Sequence, residues 1–157
     1  MLLGAQDFLD KAFMRPESLS RALVNAMERF ALCERVKRSE HYFRTLFEAQ
    51  GVANAQTDAS SGKYLRVNRR FCELTGYSEE ELKGMDLQAV TQRDDMLEEM
   101  RYITTALASE SGGYRFEKTF IKRGGETFRA LISAVLERGK TGKPLYFIYT
   151  ALEIQGN

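Results

Sequence analysis

Between Asn68 and Gly84 the chain reads NRRFCELTGYSEEELKG, and this stretch restricts the fold more than any other. Asn68 stands where a helix cap belongs, directly before RRFCELT. Phe71, Leu74 and Thr75 recur at helical spacing and predict the inward face of that helix. Gly76 interrupts it, because glycine tolerates the left-handed conformation in which helices end. Ser78 opens a second helix, and Glu81 at its third position completes a capping box. Gly84 closes that helix after about one turn.

On either side the pattern changes to strands. Val52 to Asp58 and Tyr64 to Val67 flank Ser60-Ser61-Gly62-Lys63, whose turn chemistry predicts a β-hairpin. Leu87 and Val90 fall in a brief helical or irregular link. Gln92 to Ser109 reads as a longer helix with Met96, Met100, Ile103 and Leu107 on one face. Ser111-Gly112-Gly113 is a loop. Tyr114 to Arg123 and Glu126 to Arg138 are strands around the tight turn Gly124-Gly125. Leu145 to Ile154 is the last strand, after a loop over 139–144. Strands on both sides of a run of helices predict an α+β fold: a five-stranded antiparallel sheet with helices on one face. Along the first long strand, Tyr114, Phe116 and Lys118 alternate with Arg115 and Glu117. We expect Phe116 to face inward; in the opposite register Arg115 and Glu117 would grip a polar ligand.

No glycine or proline interrupts residues 17–50. Pro16 suits a first helical turn, and Glu17 follows where the helix dipole favours an anion. Leu19, Leu23, Ala26, Met27, Phe30, Cys33, Val36 and Lys37 recur at spacings of three and four. They predict one long helix over 16–50, roughly 50 Å long if unbroken. Its apolar stripe is narrow and its flanks are charged. Such a stripe suits a pairing seam with a second copy; packing on its own domain is the alternative. From Ser39 the apolar face broadens to Tyr42, Phe43, Leu46 and Phe47, and Ser39 would cap a fresh helix if the long one broke there. Gly51 ends it. Three parts result: 1–15, the helix over 16–50, and a domain over 51–155.

A formal net charge of +1 provides no global field for nucleic acid or acidic membranes. The basic residues do not cluster with aromatics as nucleic-acid surfaces do. No apolar run approaches the roughly 20 residues that span a bilayer. The start, MLLGAQDFLDKAF, carries Asp7 and Asp10 where a signal peptide needs positive charge and then apolar residues. Cys33 and Cys72 are too few for a disulfide framework. Two free thiols without an export signal predict a cytoplasmic protein.

Asn68, Thr75, Gly76, Tyr77, Ser78, Glu80, Glu81, Leu82 and Gly84 together resemble the signature stretch of the PAS domain, and the order of elements over residues 39–154 resembles it too. Lys122-Arg123-Gly124-Gly125 is similar to the family's basic, glycine-containing strand turn. Glu153-Ile154-Gln155 takes the place of its aspartate–isoleucine–threonine exit motif and departs from it at two of three positions. The resemblance implies a sensory and dimerising module of a bacterial multidomain regulator, and no enzyme. Further forward, Gly4 to Phe13 with the helix from Pro16 resembles the last strand and helix of a response-regulator receiver domain. There Lys11 matches the phosphate-contacting lysine and Phe8 the aromatic switch, while Ala12 replaces the usual proline. The acidic pocket of that family lies in strands the chain lacks, so residues 1–15 are expected to be a receiver remnant without a role for Lys11.

Candidate chemistry is sparse. His41, the single histidine, sits beside Tyr42 and Phe43 and is expected to be a half-exposed packing residue. No histidine–cysteine cluster has metal spacing. Asp94-Asp95, Glu98-Glu99 and Glu79-Glu80-Glu81 lie at helix starts and are expected to complement the dipole from a solvated face. Gly112-Gly113 and Gly124-Gly125 lack the spacing of a nucleotide cradle. Within the PAS resemblance, haem types use a histidine on the long helix, and Gln92 to Ser109 has none. Flavin photoreceptors place a cysteine just after the second short helix, where this chain reads MDLQAVTQ. Neither histidine-ligated haem nor a cysteine–flavin adduct is therefore expected, and Cys72 reads as a structural thiol. There remains an apolar region between sheet and helices: Phe71, Leu74, Leu82, Leu87, Val90, Met96, Met100, Ile103, Phe116, Ile132 and Ile148. These residues either line a small-ligand pocket or fill the core. The expected function is a sensor that binds a small ligand or partner and relays through a homodimer formed by the helix over 16–50, with flanking signalling domains in the parent protein. The alternatives are an interaction module without ligand and, last, a small isomerase or hydrolase. The last is disfavoured because the titratable groups lie on caps and loops.

Overall fold

The computed structural model of the chain describes residues 16–49, 51–110 and 112–154. The expected receiver remnant, with Phe8 and Lys11, lies outside the described residues, as does Gln155. The chain divides into two compact units, residues 1–45 and 46–157.

The first unit is helix α1 (Pro16–Phe47), whose last two residues belong to the second unit. It runs through Ser39 without a break, so no second cap forms there. Its apolar residues face solvent: Leu23, Met27, Phe30 and Val36 are each more than half exposed. His41 is exposed.

In the second unit, β1 (Ala53–Asp58) and β2 (Tyr64–Val67) form the predicted hairpin. Then come α2 (Arg69–Thr75), α3 (Glu79–Lys83), a 3₁₀ turn (Leu87–Val90) and α4 (Arg93–Ala108). The chain finishes with β3 (Gly113–Ile121), β4 (Thr127–Arg138) and β5 (Pro144–Glu153). The sheet is five-stranded and antiparallel in the order β2-β1-β5-β4-β3, which sets the first and last strands side by side at its centre. The caps fall where the sequence puts them. Gly76 stops α2 at φ 78°, and Ser78 and Glu81 exchange both bonds of the capping box at 3.2 and 2.9 Å. The turn at Lys122–Gly125 docks on the α2–α3 corner, where the Arg123 amide donates to Thr75 O at 3.0 Å.

Asn68 does more than cap α2. Its Oδ1 accepts from the amides of Phe71 and Asn54, both at 2.9 Å, and its Nδ2 donates to Phe47 O and Val52 O, both at 2.8 Å. The side chain is buried, so these four bonds meet the full hydrogen-bonding capacity of one amide.

The inner face of the sheet alternates small and large residues. Ala55, Ala130, Ala134 and Ala151 leave room for Phe116, Phe120, Phe128, Phe147 and Tyr149, and Phe71, Leu82 and Val90 close the core from the helices. Two expectations fail by register. Ile148 points away from the core: β5 turns Phe147, Tyr149 and Ala151 inward, and Ile148 pairs with Val135 on the outer face. On α4 the buried residues are Glu99 and Ala106, while Met100 is 44% exposed. Ile103 and Leu107 of the predicted stripe pack against the core, and Glu99 turns inward between Met96 and Ile103 to meet a charge on β3.

Replacing Asn68 with Ala strips a cap and leaves buried carbonyls and amides unpaired. We expect a loss of about 2–4 kcal/mol in urea unfolding. Asn68→Asp keeps the acceptor but not the donors and should fall between. A loss under about 1 kcal/mol for Asn68→Ala would show that the clamp is dispensable.

Candidate functional site

Strand β3 presents Phe116, Lys118 and Phe120 to the core, since alternate residues share a face. The Lys118 ammonium therefore enters the interior. Its Nζ lies 2.8 Å from Glu99 Oε2 on α4, 3.1 Å from Thr91 Oγ1, and 4.5 Å above the Phe120 ring. Both charged side chains are essentially inaccessible to solvent. Burial pulls the lysine pKa below its ordinary value, and the neighbouring Glu99 carboxylate opposes that shift. The sequence predicts Glu99 on a solvated face; the structure places it in the core as the partner of Lys118. At the start of the same helix, Asp95 accepts from the Thr119 amide and Gln92 N donates to Thr119 O, which stitches α4 to β3.

Around the pair stand three tyrosines, Tyr64 and Tyr149 buried and Tyr114 half-buried. The Tyr114 and Tyr149 hydroxyls share a hydrogen bond at 2.8 Å. Tyr64 OH, Thr57 Oγ1 and Glu99 Oε1 are buried without a hydrogen-bond partner among the described residues. The Thr57 hydroxyl sits near the Tyr149 phenol without meeting hydrogen-bond geometry. Burial raises the pKa of all three phenols above the usual value near 10, and the charge of Glu99 adds to it.

The space left at the centre is about 10 Å³, bordered by Tyr64, Phe71, Leu87, Lys118, Ile132 and Tyr149. That is room for about one water molecule. A larger cleft of about 220 Å³ opens to the side, between the β1–β2 turn, the 3₁₀ turn, α4 and β5. Its polar side is formed by the two turns, Thr57–Gly62 and Asp86–Gln88, with Leu87 packed at Gly62; its apolar side is Met96, Met100 and Ile103 of α4 with Phe147 and Tyr149 of β5. The two turns are held together by the Tyr64 amide on Met85 O and the Leu87 amide on Gly62 O, each at 3.2 Å. Asp58 Oδ1 accepts from both the amides and the hydroxyls of Ser60 and Ser61, and these bonds hold its pKa down at about 2.

The predicted lining residues separate accordingly. Phe71, Leu87 and Ile132 border the central space, and Leu87, Met96, Met100 and Ile103 border the side cleft. Leu74, Leu82, Val90 and Phe116 are core residues lining neither, and Ile148 lies on the outer face. Sequence reasoning misses Lys118, Glu99, Thr57, Asp58, Asp86 and Tyr149. Lys118 is detectable, because it shares strand parity with Phe116 and Phe120. Cys72 is half-buried, and its thiol pKa is raised by burial and by the charges of Glu79 and Glu48, which favours the protonated form at neutral pH. Among the described residues no group of three or more potential ligands could hold a metal ion, and no helix is long and apolar enough to cross a membrane.

A family model described as the PAS fold matches residues 41–154. The chain belongs to the PAS family. Its segment is 32% identical over 113 residues to a probable diguanylate cyclase, DgcE, of Escherichia coli K12. The alignment covers 72% of this chain and only 10% of that relative. Among solved structures, a PAS domain from a two-component sensor histidine kinase superposes with a TM-score of 0.63 at 19% identity, covering 76% of this chain and 99% of that one. A PAS domain from Colwellia psychrerythraea superposes at 0.66 with 17% identity, covering 73% and 95%. At these identities the structural likeness speaks for the fold alone.

The buried charges and phenols give two measurable outcomes. Lys118→Met should cost about 3–5 kcal/mol in urea unfolding, because it strands a buried carboxylate, whereas Lys118→Met with Glu99→Leu should recover most of that loss. A double variant as unstable as the single one would contradict the pairing. Second, each buried phenol is harder to ionise in the folded than in the unfolded state. The folded protein then holds more protons above pH about 10, and its stability falls as pH rises through that value. In absorbance titration at alkaline pH, Tyr64, Tyr114 and Tyr149 should ionise only together with loss of circular dichroism. Ionisation of all seven tyrosines while the fold persists would refute it.

Proposed function

We propose that this PAS domain is a cytoplasmic sensory relay within a multidomain signalling protein, and that it passes its state on through pairing of α1 with the α1 of a second copy. The observation that carries this reading is the row of apolar residues on α1, Leu23, Met27, Phe30 and Val36, which protrude into solvent on a helix with no core of its own. Water-exposed apolar surface on that scale favours association. The Asn68 clamp supports the relay: it bonds the last carbonyl of α1 and the first strand at once, and Asn54 of β1 donates to the same carbonyl at 3.0 Å, so a rearrangement near β1 or α2 reaches the helix end through these two side chains. Free Cys33 and Cys72 fit a reducing compartment. The E. coli relative is far longer than the matched segment, and by analogy the catalytic output of such a protein lies outside a domain of this kind.

A second reading is favoured by one observation. The central space is filled by Lys118, Glu99 and rings down to about 10 Å³, as an interaction module that takes no ligand would require. Native mass spectrometry of the purified chain separates the two, since a retained small molecule supports sensing.

Sedimentation of the full chain tests the relay. We expect a dimer, and a monomer after Met27→Glu with Phe30→Glu, at an unchanged melting temperature for the PAS core. A monomer before and after substitution would rule out pairing through α1.

A further inference from the structure

The side cleft carries more chemical information than its size suggests. Its polar end holds two carboxylates, Asp58 and Asp86, and no lysine, arginine or histidine lines it. Asp86 Oδ1 accepts from the amides of Gln88 and Ala89, while Asp58 Oδ1 takes the serine donors of its own turn. The second oxygen of each carboxylate makes no hydrogen bond or ion pair among the described residues. Lys63, between the two turns, is exposed and forms no ion pair with either. Thr57, adjacent to Asp58, lines the cleft with a hydroxyl that is buried and has no partner. An unmet buried hydroxyl is destabilising unless something supplies the missing bond. The opposite end is apolar and deformable: Met96 and Met100 are unbranched, and their thioethers adapt to irregular shapes.

The geometry points to a small protonated amine with a short apolar tail as the ligand of this cleft. Its ammonium sits at the polar end, faced by the free oxygens of Asp58 and Asp86, with one N–H donated to Thr57 Oγ1. Its tail lies against Met96, Met100 and Ile103. An anion of the same shape meets two like charges there, and a neutral alcohol forgoes the charge-assisted bonds. This inference rests on the sensory reading above, for which it names the input.

The test uses the full chain and n-pentylamine, with pentan-1-ol and pentanoate as isosteres, monitored by backbone amide NMR at neutral pH. Pentylamine should shift the resonances of residues 57–62 and 86–88 saturably. Pentanol should bind about tenfold more weakly, and pentanoate should produce no saturable shift. Asp86→Asn keeps the cap of the 3₁₀ turn but should weaken amine binding about tenfold. Thr57→Val removes an unpaired buried hydroxyl, so it should hold or raise the melting temperature while weakening amine binding. Equal binding of the three probes, or no saturable shift with pentylamine, overturns the proposal, as does amine binding indifferent to both substitutions. Sedimentation of the same samples keeps the two readings apart. A dimer without an amine site defeats this inference alone, and an amine site on a monomer defeats the α1 relay alone.

Discussion

The side-chain amide of Asn68 is the fixed point of the fold. It joins the end of α1, the start of β1 and the first turn of α2, and the backbone amide of Asn68 adds a bond to Asn54 O at 2.9 Å. Both its donors and its acceptor are in use, so Asp lacks the hydrogens, Ser lacks the reach, and an apolar residue strands polar backbone in the core. The neighbouring elements take their places from this anchor. α2 leads into the Gly76 corner, the corner receives the β3–β4 turn, and Arg123 closes on Glu81 at 2.9 Å.

The Lys118–Glu99 pair has a different role. Replacing such a pair by apolar residues often preserves stability, so its value here is in orientation. Turning α4 by one residue would bury Met100, expose Glu99 and leave the ammonium of Lys118 with Thr91 Oγ1 but no carboxylate. The pair thereby settles which face of α4 meets the sheet, and the methionines are left to border the side cleft.

How much of this is legible in the sequence depends on whether the determinant is local. The caps at Asn68 and Ser78, the stop at Gly76 and the hairpin turn depend on neighbours within a few residues, and the sequence places them at their observed positions. Strand β3 is oriented correctly because polar residues mark one of its parities. Strand β5, reading LYFIYTAL, is apolar at both parities, so the outward turn of Ile148 is decided by its neighbours β1 and β4. Glu99 illustrates the same limit, since a carboxylate on a helix looks solvated until a cation on another element is known to face it. The side cleft is built from turns and strands far apart in the chain, and its lining cannot be assembled from spacing.

The order of the strands has a mechanical corollary. Because β1 and β5 are neighbours, with Ala53 opposite Ala151, the segment entering the domain and the segment leaving it meet at one margin of the sheet. The module adds almost no displacement between its entry and its exit, so a chain can accommodate it as a side lobe instead of a spacer. A slip of β1 along β5 would then move the two flanking segments against each other, like the blades of scissors about a single pivot.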